Sequence, residues 1–170
     1  PMRLYAESSA VLAWLLGDTA ADPIRALLQQ AELVITSDLT LVECDRALQR
    51  AQRATHLSEA DAADRRAHLN EAAAAWHVLR VHPAGIERAR RDFPSEPLET
   101  LSALHLASAL VARSAIPGLA VLALDDDVRR NARLLGFRVV PATARSLTNE
   151  KAALGIRQPA RPTSGGGGTA

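Results

Sequence analysis

Hydrophobic and polar positions divide the chain into short strand-like runs and longer amphipathic stretches with helical spacing. The strand-like runs fall at residues 3–6, 33–36, 76–81, 119–124 and 137–140. The helical stretches fall at residues 10–16, 23–30, 37–53, 58–75, 83–91, 100–113 and 126–135. Because strands and helices alternate, the pattern predicts an α/β fold with a small, mostly parallel sheet flanked by helices.

Residues that start and stop helices support these boundaries. Ser8 and Ser9 are candidate caps for the first helix, and Ser58 is the candidate cap for the long fourth helix. Gly17 and Gly136 are expected to end helices, because glycine adopts the left-handed conformation without strain. The third helix is predicted to be amphipathic, with its apolar positions at Leu39, Val42, Ala47 and Ala51.

Length and composition fit one domain that folds without disulfides or a structural metal. The sequence has 170 residues, of which 48% are hydrophobic and only 3% are aromatic. Because the apolar residues are mainly Ala and Leu, closely packed helices on a small sheet are favoured over a β-sandwich. We expect the domain to occupy residues 1–157. Residues 158–170, rich in Pro, Gly, Ser and Thr, are predicted to form a disordered tail.

Cysteine use and hydropathy indicate the expected compartment. The single cysteine, Cys44, excludes an internal disulfide and a multi-cysteine zinc site, and is expected to be a small buried residue. No apolar run approaches the roughly 20 residues that span a bilayer, and no charged-then-apolar leader opens the sequence. We therefore expect a soluble, cytoplasmic protein with no membrane partner.

Three acidic residues lie where the predicted sheet would gather them. Glu7 follows the first strand-like run, Asp125 follows the fourth, and Glu43 lies one turn into the third helix. Ligands of open α/β sheets bind beyond the carboxyl ends of the strands. Carboxylate oxygens suit Mg²⁺, which activates water and stabilises phosphoryl charge. The pattern indicates metal-dependent phosphodiester hydrolysis, with Glu7, Glu43 and Asp125 as candidate catalytic residues and metal ligands.

Each of these acids also has a structural explanation. Glu43 stands three residues after Thr40, which is the spacing of a capping box. Asp125 precedes a helix and can cap it, and the charge of Glu7 can favour the N-terminus of the helix that follows. Capping explains each acid taken singly, whereas a shared metal site explains why all three fall at the same predicted edge.

Arginines supply the candidate RNA contacts. Net charge is only +1, but the basic residues are nearly all Arg, which makes forked contacts with phosphate. Arg46, Arg50 and Arg53 share a helical face with Glu43, and Arg129, Arg130 and Arg133 repeat this spacing behind Asp125. The alternative is a solvated face whose arginines pair with Asp45 or Glu59.

Two more polar residues fall inside the candidate site. His105 lies in the most apolar helix and is expected to be a hydrogen-bonded core histidine rather than a ligand or general base. Ser9 can orient Glu7 or a bound water by a short hydrogen bond, or simply cap the first helix.

Four segments of the chain resemble, in order, the acidic blocks of PIN-domain ribonucleases, specifically the VapC-type toxins. They are LYAESSA at 4–10, SDLTLVE at 37–43, LSALHLA at 101–107 and LDDDV at 124–128. The resemblance covers nearly the whole chain up to about residue 140 and is specific as a set. It implies a PIN-like three-layer α/β fold, a metal-dependent endoribonuclease using Mg²⁺ or Mn²⁺, an RNA substrate, a cognate antitoxin and a homodimer.

Two positions depart from the blocks of that family. Asp is usual where this chain has Glu7, and Asp is usual where it has Ser102. A glutamate keeps the charge but moves it outward by one methylene, whereas a serine loses the charge and can only hydrogen-bond. Glu99, one turn earlier than Ser102, is a candidate substitute. Ser102 is thus a catalytic position at which weaker metal affinity and a slower reaction are expected.

The resemblance leaves two main functions open. The first is a toxin that hydrolyses RNA phosphodiester bonds with activity reduced by Ser102; the rival is a degenerate PIN module that binds antitoxin or RNA without cleavage. Cleavage of DNA or flap structures is a third reading. We expect the antitoxin and a second copy of the chain to bind at the helices at 23–30 and 37–53, although core packing explains much of the apolar content of these helices.

Overall fold

The computed structural model describes residues 1–18 and 20–143, which form a three-layer α/β domain. In chain order its elements are β1 (Met2–Ala6), α1 (Ser8–Leu16), α2 (Ala21–Gln30), β2 (Ala31–Ser37), α3 (Asp38–Arg53), α4 (Glu59–Ala75), β3 (His77–Leu79), α5 (Pro83–Ala89), α6 (Thr100–Ala115), β4 (Leu119–Leu122), α7 (Asp126–Leu134) and β5 (Val139–Val140). The order and type of these elements are those predicted from the sequence. The boundary at residue 157 and the tail at 158–170 lie outside the described residues.

All strand pairings are parallel, and the strands lie in the order β3-β2-β1-β4-β5. The central strand β1 pairs Tyr5 with Ile35 of β2 on one side and with Val121 of β4 on the other. Each parallel connection passes through at least one helix, as a parallel crossover requires. The predicted parallel α/β sheet is therefore confirmed.

Side chains of β1 alternate between two hydrophobic cores on opposite faces of the sheet. Leu4 and Ala6 pack with residues of α1 to α4, such as Val11 and Leu69. Tyr5 points to the other face, where α6, α7 and the segment around Phe93 cover the sheet. This alternation is the period-two geometry of a strand, and it fixes which face each helix covers.

Local sequence signals end most helices as predicted. Gly17 ends α1 at φ 69°, and Gly136, at φ 84°, follows α7. Ser58 caps α4 by accepting a hydrogen bond from the Asp61 backbone N–H. Helix α1 differs, because its N-cap is Glu7 rather than Ser8 or Ser9, which both lie inside the helix.

The predicted apolar face of α3 was partly wrong. Ala47 and Ala51 are buried, but Val42 is 59% exposed, and the face toward the core also includes Thr40, Cys44 and Leu48. These buried residues recur at steps of three and four positions and so form one helical stripe, and Val42 lies on the other side of the helix. Burial raises the pKa of the Cys44 thiol, which suits an inert core residue.

No helix within the described residues combines the length and apolarity that crossing a bilayer requires.

Candidate functional site

The carboxyl ends of β1 and β4 lie side by side at the point where the strand order reverses, which is where open α/β sheets bind ligands. Glu7 directly follows β1 and donates its backbone N–H to the Leu122 carbonyl of β4 at 2.9 Å. Asp125 follows β4 and opens α7. Glu43 reaches the same place from α3, which follows β2 without a loop.

These three acids line one cleft of about 370 Å³. The other lining residues are Ser8, Ser9, Leu12, Leu39, Val42, Arg46, Arg50, Glu99, Leu101, Ser102 and His105. The cleft therefore joins residues from the β1–α1 junction, α1, α3, α6 and the β4–α7 junction. Its wall combines carboxylates, arginines and exposed aliphatic side chains.

Glu7 is buried, and both of its carboxylate oxygens have partners. Ser8 Oγ donates to Oε1 at 2.7 Å, the Ser9 backbone N–H donates to Oε2 at 3.0 Å, and the Ser9 hydroxyl donates to the same oxygen. Ser9 Oγ in turn accepts the backbone N–H groups of Leu124 at 2.8 Å and Asp125 at 3.0 Å. One serine thus ties Glu7 to the end of β4 and uses its full hydrogen-bonding capacity.

Asp125 caps α7, which confirms the prediction that it can cap the helix that follows it. Its Oδ1 accepts the backbone N–H of Asp127 at 3.1 Å and of Val128 at 3.0 Å. The cap fixes the side chain at the edge of the cleft. Capping and lining the cleft are therefore compatible for Asp125, and the same is true of Glu7.

Glu43 has a hydrogen-bond partner other than the capping box that its spacing from Thr40 suggested. The N-cap of α3 is Ser37, while Glu43 Oε1 lies 2.6 Å from His105 Nε2. His105 Nδ1 lies 3.1 Å from the Tyr5 hydroxyl. His105 is only 1% exposed, which confirms the prediction of a hydrogen-bonded core histidine.

The pKa of His105 reflects opposing influences. Burial lowers it, but the hydrogen bond to Glu43 and the negative charges of Glu7 and Glu43 together outweigh burial, so the pKa lies above its ordinary value. Burial also raises the pKa of the Tyr5 hydroxyl above its usual range. Tyr5 therefore keeps its proton and can donate it to His105.

Helix α6 brings Ser102 and Glu99 to the cleft. Ser102 is half-buried in the wall, and Glu99 is the exposed N-cap residue of α6. Within the described chain the Glu99 side chain makes no capping hydrogen bond. Glu99 and Ser102 thus line the same cleft, with Glu99 one turn earlier in the sequence.

The candidate RNA-binding arginines of α3 separate into two groups. Arg46 and Arg50 line the cleft, whereas Arg53 is exposed one turn further along and outside it. Asp45, one of their proposed partners, instead pairs with Arg66 at 3.0 Å.

Arg129, a predicted RNA-binding residue, makes its hydrogen bonds inside the fold. Its side chain is buried and donates to the carbonyl oxygens of Ala123 and Pro141, each at 2.7 Å. Burial and the nearby charge of Arg133 lower its pKa. Arg130 pairs with Asp127 at 2.7 Å. The α7 arginines therefore do not share one face, and Arg129 joins the ends of β4 and β5.

The sequence did not reveal the hydrogen-bond partners of two residues in the site, Ser8 and His105. Ser8 was considered only as a cap, although it holds Glu7, and His105 was not linked to Glu43. The three-residue spacing from Ser102 to His105 places both on one helical face and was the available signal.

The donor chemistry of the cleft fits a hard divalent cation. Glu7, Glu43, Asp125 and Glu99 offer carboxylate oxygens, and Ser102 offers a hydroxyl, which are ligands that Mg²⁺ and Mn²⁺ accept. In residues 1–18 and 20–143, however, no three Asp, Glu, His or Cys side chains converge into a ready-made ligand group. Mg²⁺ needs only one or two direct carboxylates and keeps several waters, so the donor set still suits it.

A family model described as the PIN domain matches residues 4–134, which is most of the chain. The chain therefore belongs to the PIN-domain family. No curated protein sequence matches it.

Solved structures share the fold at low sequence identity. The Mycobacterium tuberculosis VapC20 toxin, described as cleaving the sarcin-ricin loop, is 19% identical with a TM-score of 0.52, covering 79% of this chain and 95% of that one. PAE2754 from Pyrobaculum aerophilum is 17% identical with a TM-score of 0.54, covering 92% and 91%. A toxin-antitoxin complex from Klebsiella pneumoniae is 15% identical with a TM-score of 0.56, covering 84% and 99%.

Proposed function

We propose that this PIN-domain protein is a metal-dependent endoribonuclease that acts as the toxin of a toxin–antitoxin pair. The observation that carries the proposal is one cleft, lined by Glu7, Glu43 and Asp125 from three separate parts of the chain and bordered by Arg46 and Arg50. Membership of the PIN family and the shared fold with VapC20 support it.

In this proposal each group in the cleft has a distinct task. Glu7, Glu43 and Asp125 would hold Mg²⁺ or Mn²⁺. The cation, when bound, activates water for attack and offsets the charge on the phosphate. Arg46 and Arg50 would bind RNA phosphates beside the acids and position the strand. Ser102 would hydrogen-bond water without neutralising charge, so the reaction would be slower than with a carboxylate there.

A second candidate function follows from Ser102. The cleft lacks a carboxylate at this position, and Glu99, which lines the same cleft, is exposed. A module with this defect would keep the fold and bind antitoxin or RNA without cutting. The two functions differ in one measurable property, which is hydrolysis by the unmodified chain.

The proposal includes an antitoxin that covers the cleft, a homodimer and a cytoplasmic location. Val42 and Leu101 line the cleft and are 59% and 45% exposed, so aliphatic surface is available for a protein partner beside the acids. The fold shared with a chain of the Klebsiella pneumoniae toxin-antitoxin complex supports such a partner. Helices α2 and α3 remain the proposed surfaces for the partner and the second copy.

The test is cleavage of structured RNA, with a sarcin-ricin loop hairpin as first substrate because the VapC20 neighbour cleaves that loop. The chain is compared with Glu43→Ala, Ser102→Asp and Glu71→Ala, the last altering an exposed acid on α4. If the chain is an enzyme, the parent and Glu71→Ala should both cut RNA when Mn²⁺ is present. Glu43→Ala should not cut it. Activity in Ser102→Asp alone would favour the degenerate module. Preferential cutting of DNA of the same sequence would favour the third hypothesis, a nuclease that cleaves DNA or flap structures.

A further inference from the structure

Helix α6 sends His105 into the wall of the acidic cleft, where it is fixed at both ring nitrogens. Nε2 lies 2.6 Å from Glu43 Oε1 on α3, and Nδ1 lies 3.1 Å from the Tyr5 hydroxyl on β1. The imidazole is 1% exposed, so water does not compete for either bond. Three elements that are distant in sequence are thereby joined through one ring.

The direction of these hydrogen bonds follows from the chemistry of the partners. An ionised carboxylate only accepts, so Nε2 carries the proton that is shared with Glu43. In the neutral imidazole, Nδ1 then accepts the proton of the Tyr5 hydroxyl. Protonation of the ring leaves the Nε2–H donor in place. His105 therefore donates to Glu43 in both of its charge states.

The contact constrains Glu43 differently from Glu7. Both Glu7 oxygens accept hydrogen bonds from Ser8 and Ser9. For Glu43, His105 engages Oε1, which leaves Oε2 for a ligand in the cleft. The Glu43 side chain is 25% exposed and has three rotatable bonds, so without this partner several orientations would be accessible.

We propose that His105 is a positioning residue for the candidate metal centre: it fixes the Glu43 carboxylate in the cleft, and Tyr5 fixes His105. This inference rests on the proposed function. It also gives α6 a second role in the site besides carrying Ser102. The helix contributes the hydrogen bond that orients a carboxylate from α3. Partners that orient a metal ligand in this way commonly alter metal affinity by about 10–100-fold when removed.

The test compares His105→Leu, which removes the donor, with His105→Gln, which retains a side-chain N–H. Mn²⁺ affinity is measured by isothermal titration calorimetry and RNA cleavage by steady-state kinetics. We expect His105→Leu to weaken Mn²⁺ binding by at least about tenfold and to lower kcat with little change in KM for RNA. His105→Gln should recover most of both. A folded His105→Leu protein that binds Mn²⁺ as tightly as the parent would overturn the proposal.

Leu106→Ala is the matched control, because Leu106 is equally buried on α6 and packs in the core away from the carboxylates. It should lower thermal stability and leave Mn²⁺ affinity unchanged. An equal loss of affinity in Leu106→Ala and His105→Leu would assign the effect to general damage of the core and overturn the positioning role.

Crystal structures of the metal-free parent and of metal-free His105→Leu test this inference independently of the proposed function. If the parent takes up no Mn²⁺ and cuts no RNA, the nuclease proposal fails while positioning remains measurable. Glu43 should then adopt one rotamer in the parent and a different or mixed rotamer in His105→Leu. The same single Glu43 rotamer in both proteins would refute the inference.

Discussion

A 2.6 Å contact between His105 Nε2 and Glu43 Oε1 joins residues 62 positions apart in sequence. It connects α3 to α6 across the wall of the acidic cleft. Because His105 is buried while Glu43 is partly exposed, the pair brings an interior hydrogen-bond donor to a carboxylate that faces the cleft. Its presence has consequences for pH dependence as well as for metal binding.

The pKa of His105 in the metal-free protein should exceed the ordinary value of about 6.5. Burial opposes this, but Glu43 and Glu7 raise the pKa more. A raised native-state pKa means that protonated His105 stabilises the fold fully below the unfolded pKa, and that this contribution is lost as pH rises through the native value. NMR titration of the imidazole C–H signals measures it. Glu43→Gln should lower the pKa, and titration of the parent at or below 6.5 would contradict the account.

Ser102→Asp should strengthen Mn²⁺ binding. A unit charge about 4 Å away at the effective dielectric of a partly exposed site contributes roughly 4 kcal/mol, of which repulsion among the acids cancels a large part. We therefore expect an affinity gain of roughly tenfold, or about 1.4 kcal/mol. Calorimetric titration provides the measurement, with Ser102→Asn as the uncharged control. Equal affinities for the Asp and Asn variants would show that position 102 does not face the cation.

Arg46→Ala and Arg50→Ala should weaken RNA binding by an electrostatic mechanism. Both arginines line the cleft, so each is expected to neutralise a phosphate. Removing one contact should reduce the slope of log affinity against log salt by roughly 0.7 for a single strand. Fluorescence anisotropy with labelled RNA at several salt concentrations tests this. Arg53→Ala is the matched control outside the cleft, and a slope change as large as that of Arg46→Ala would contradict the assignment.

Arg129→Met should destabilise the domain rather than weaken RNA binding of the folded protein. The guanidinium donates to the Ala123 and Pro141 carbonyls, and removing it leaves these acceptors without their charged donor. The expected loss in free energy of unfolding is about 2–4 kcal/mol. Urea denaturation of Arg129→Met and of the exposed control Arg133→Met gives the comparison. Unchanged stability with reduced RNA affinity would instead support the prediction that Arg129 binds RNA.

The fold was predictable because local signals and the global architecture agree. Gly17 and Ser58 mark helix boundaries, and alternating strands and helices leave a parallel sheet as the simplest arrangement. Val42 was misplaced because it was grouped with Ala47 and Ala51 by its hydropathy, whereas at about 100° per residue it lies on the opposite side of α3 from the buried Cys44 and Leu48.

The candidate site was predictable where residues follow strands and less so where side chains reach across the fold. Glu7 and Asp125 are placed by the ends of β1 and β4, so their shared edge follows from the topology. The pairing of Glu43 with His105 depends on the approach of α3 and α6, for which one sequence carries little signal. Arg129 has the same spacing as its solvent-facing neighbours, and only its position beside Val128 and Ala132 on the inner face of α7 distinguishes it.

The central claim is that the acids gathered at this sheet edge hold a divalent cation, and calorimetric titration of Mn²⁺ into the metal-free protein tests it most directly. Saturable binding is predicted for the parent, with a loss of about tenfold or more in affinity for Glu43→Gln and Asp125→Asn, which keep the shapes of the side chains and remove their charge. No binding by the parent at millimolar Mn²⁺, or equal binding by the parent and both variants, would contradict the account.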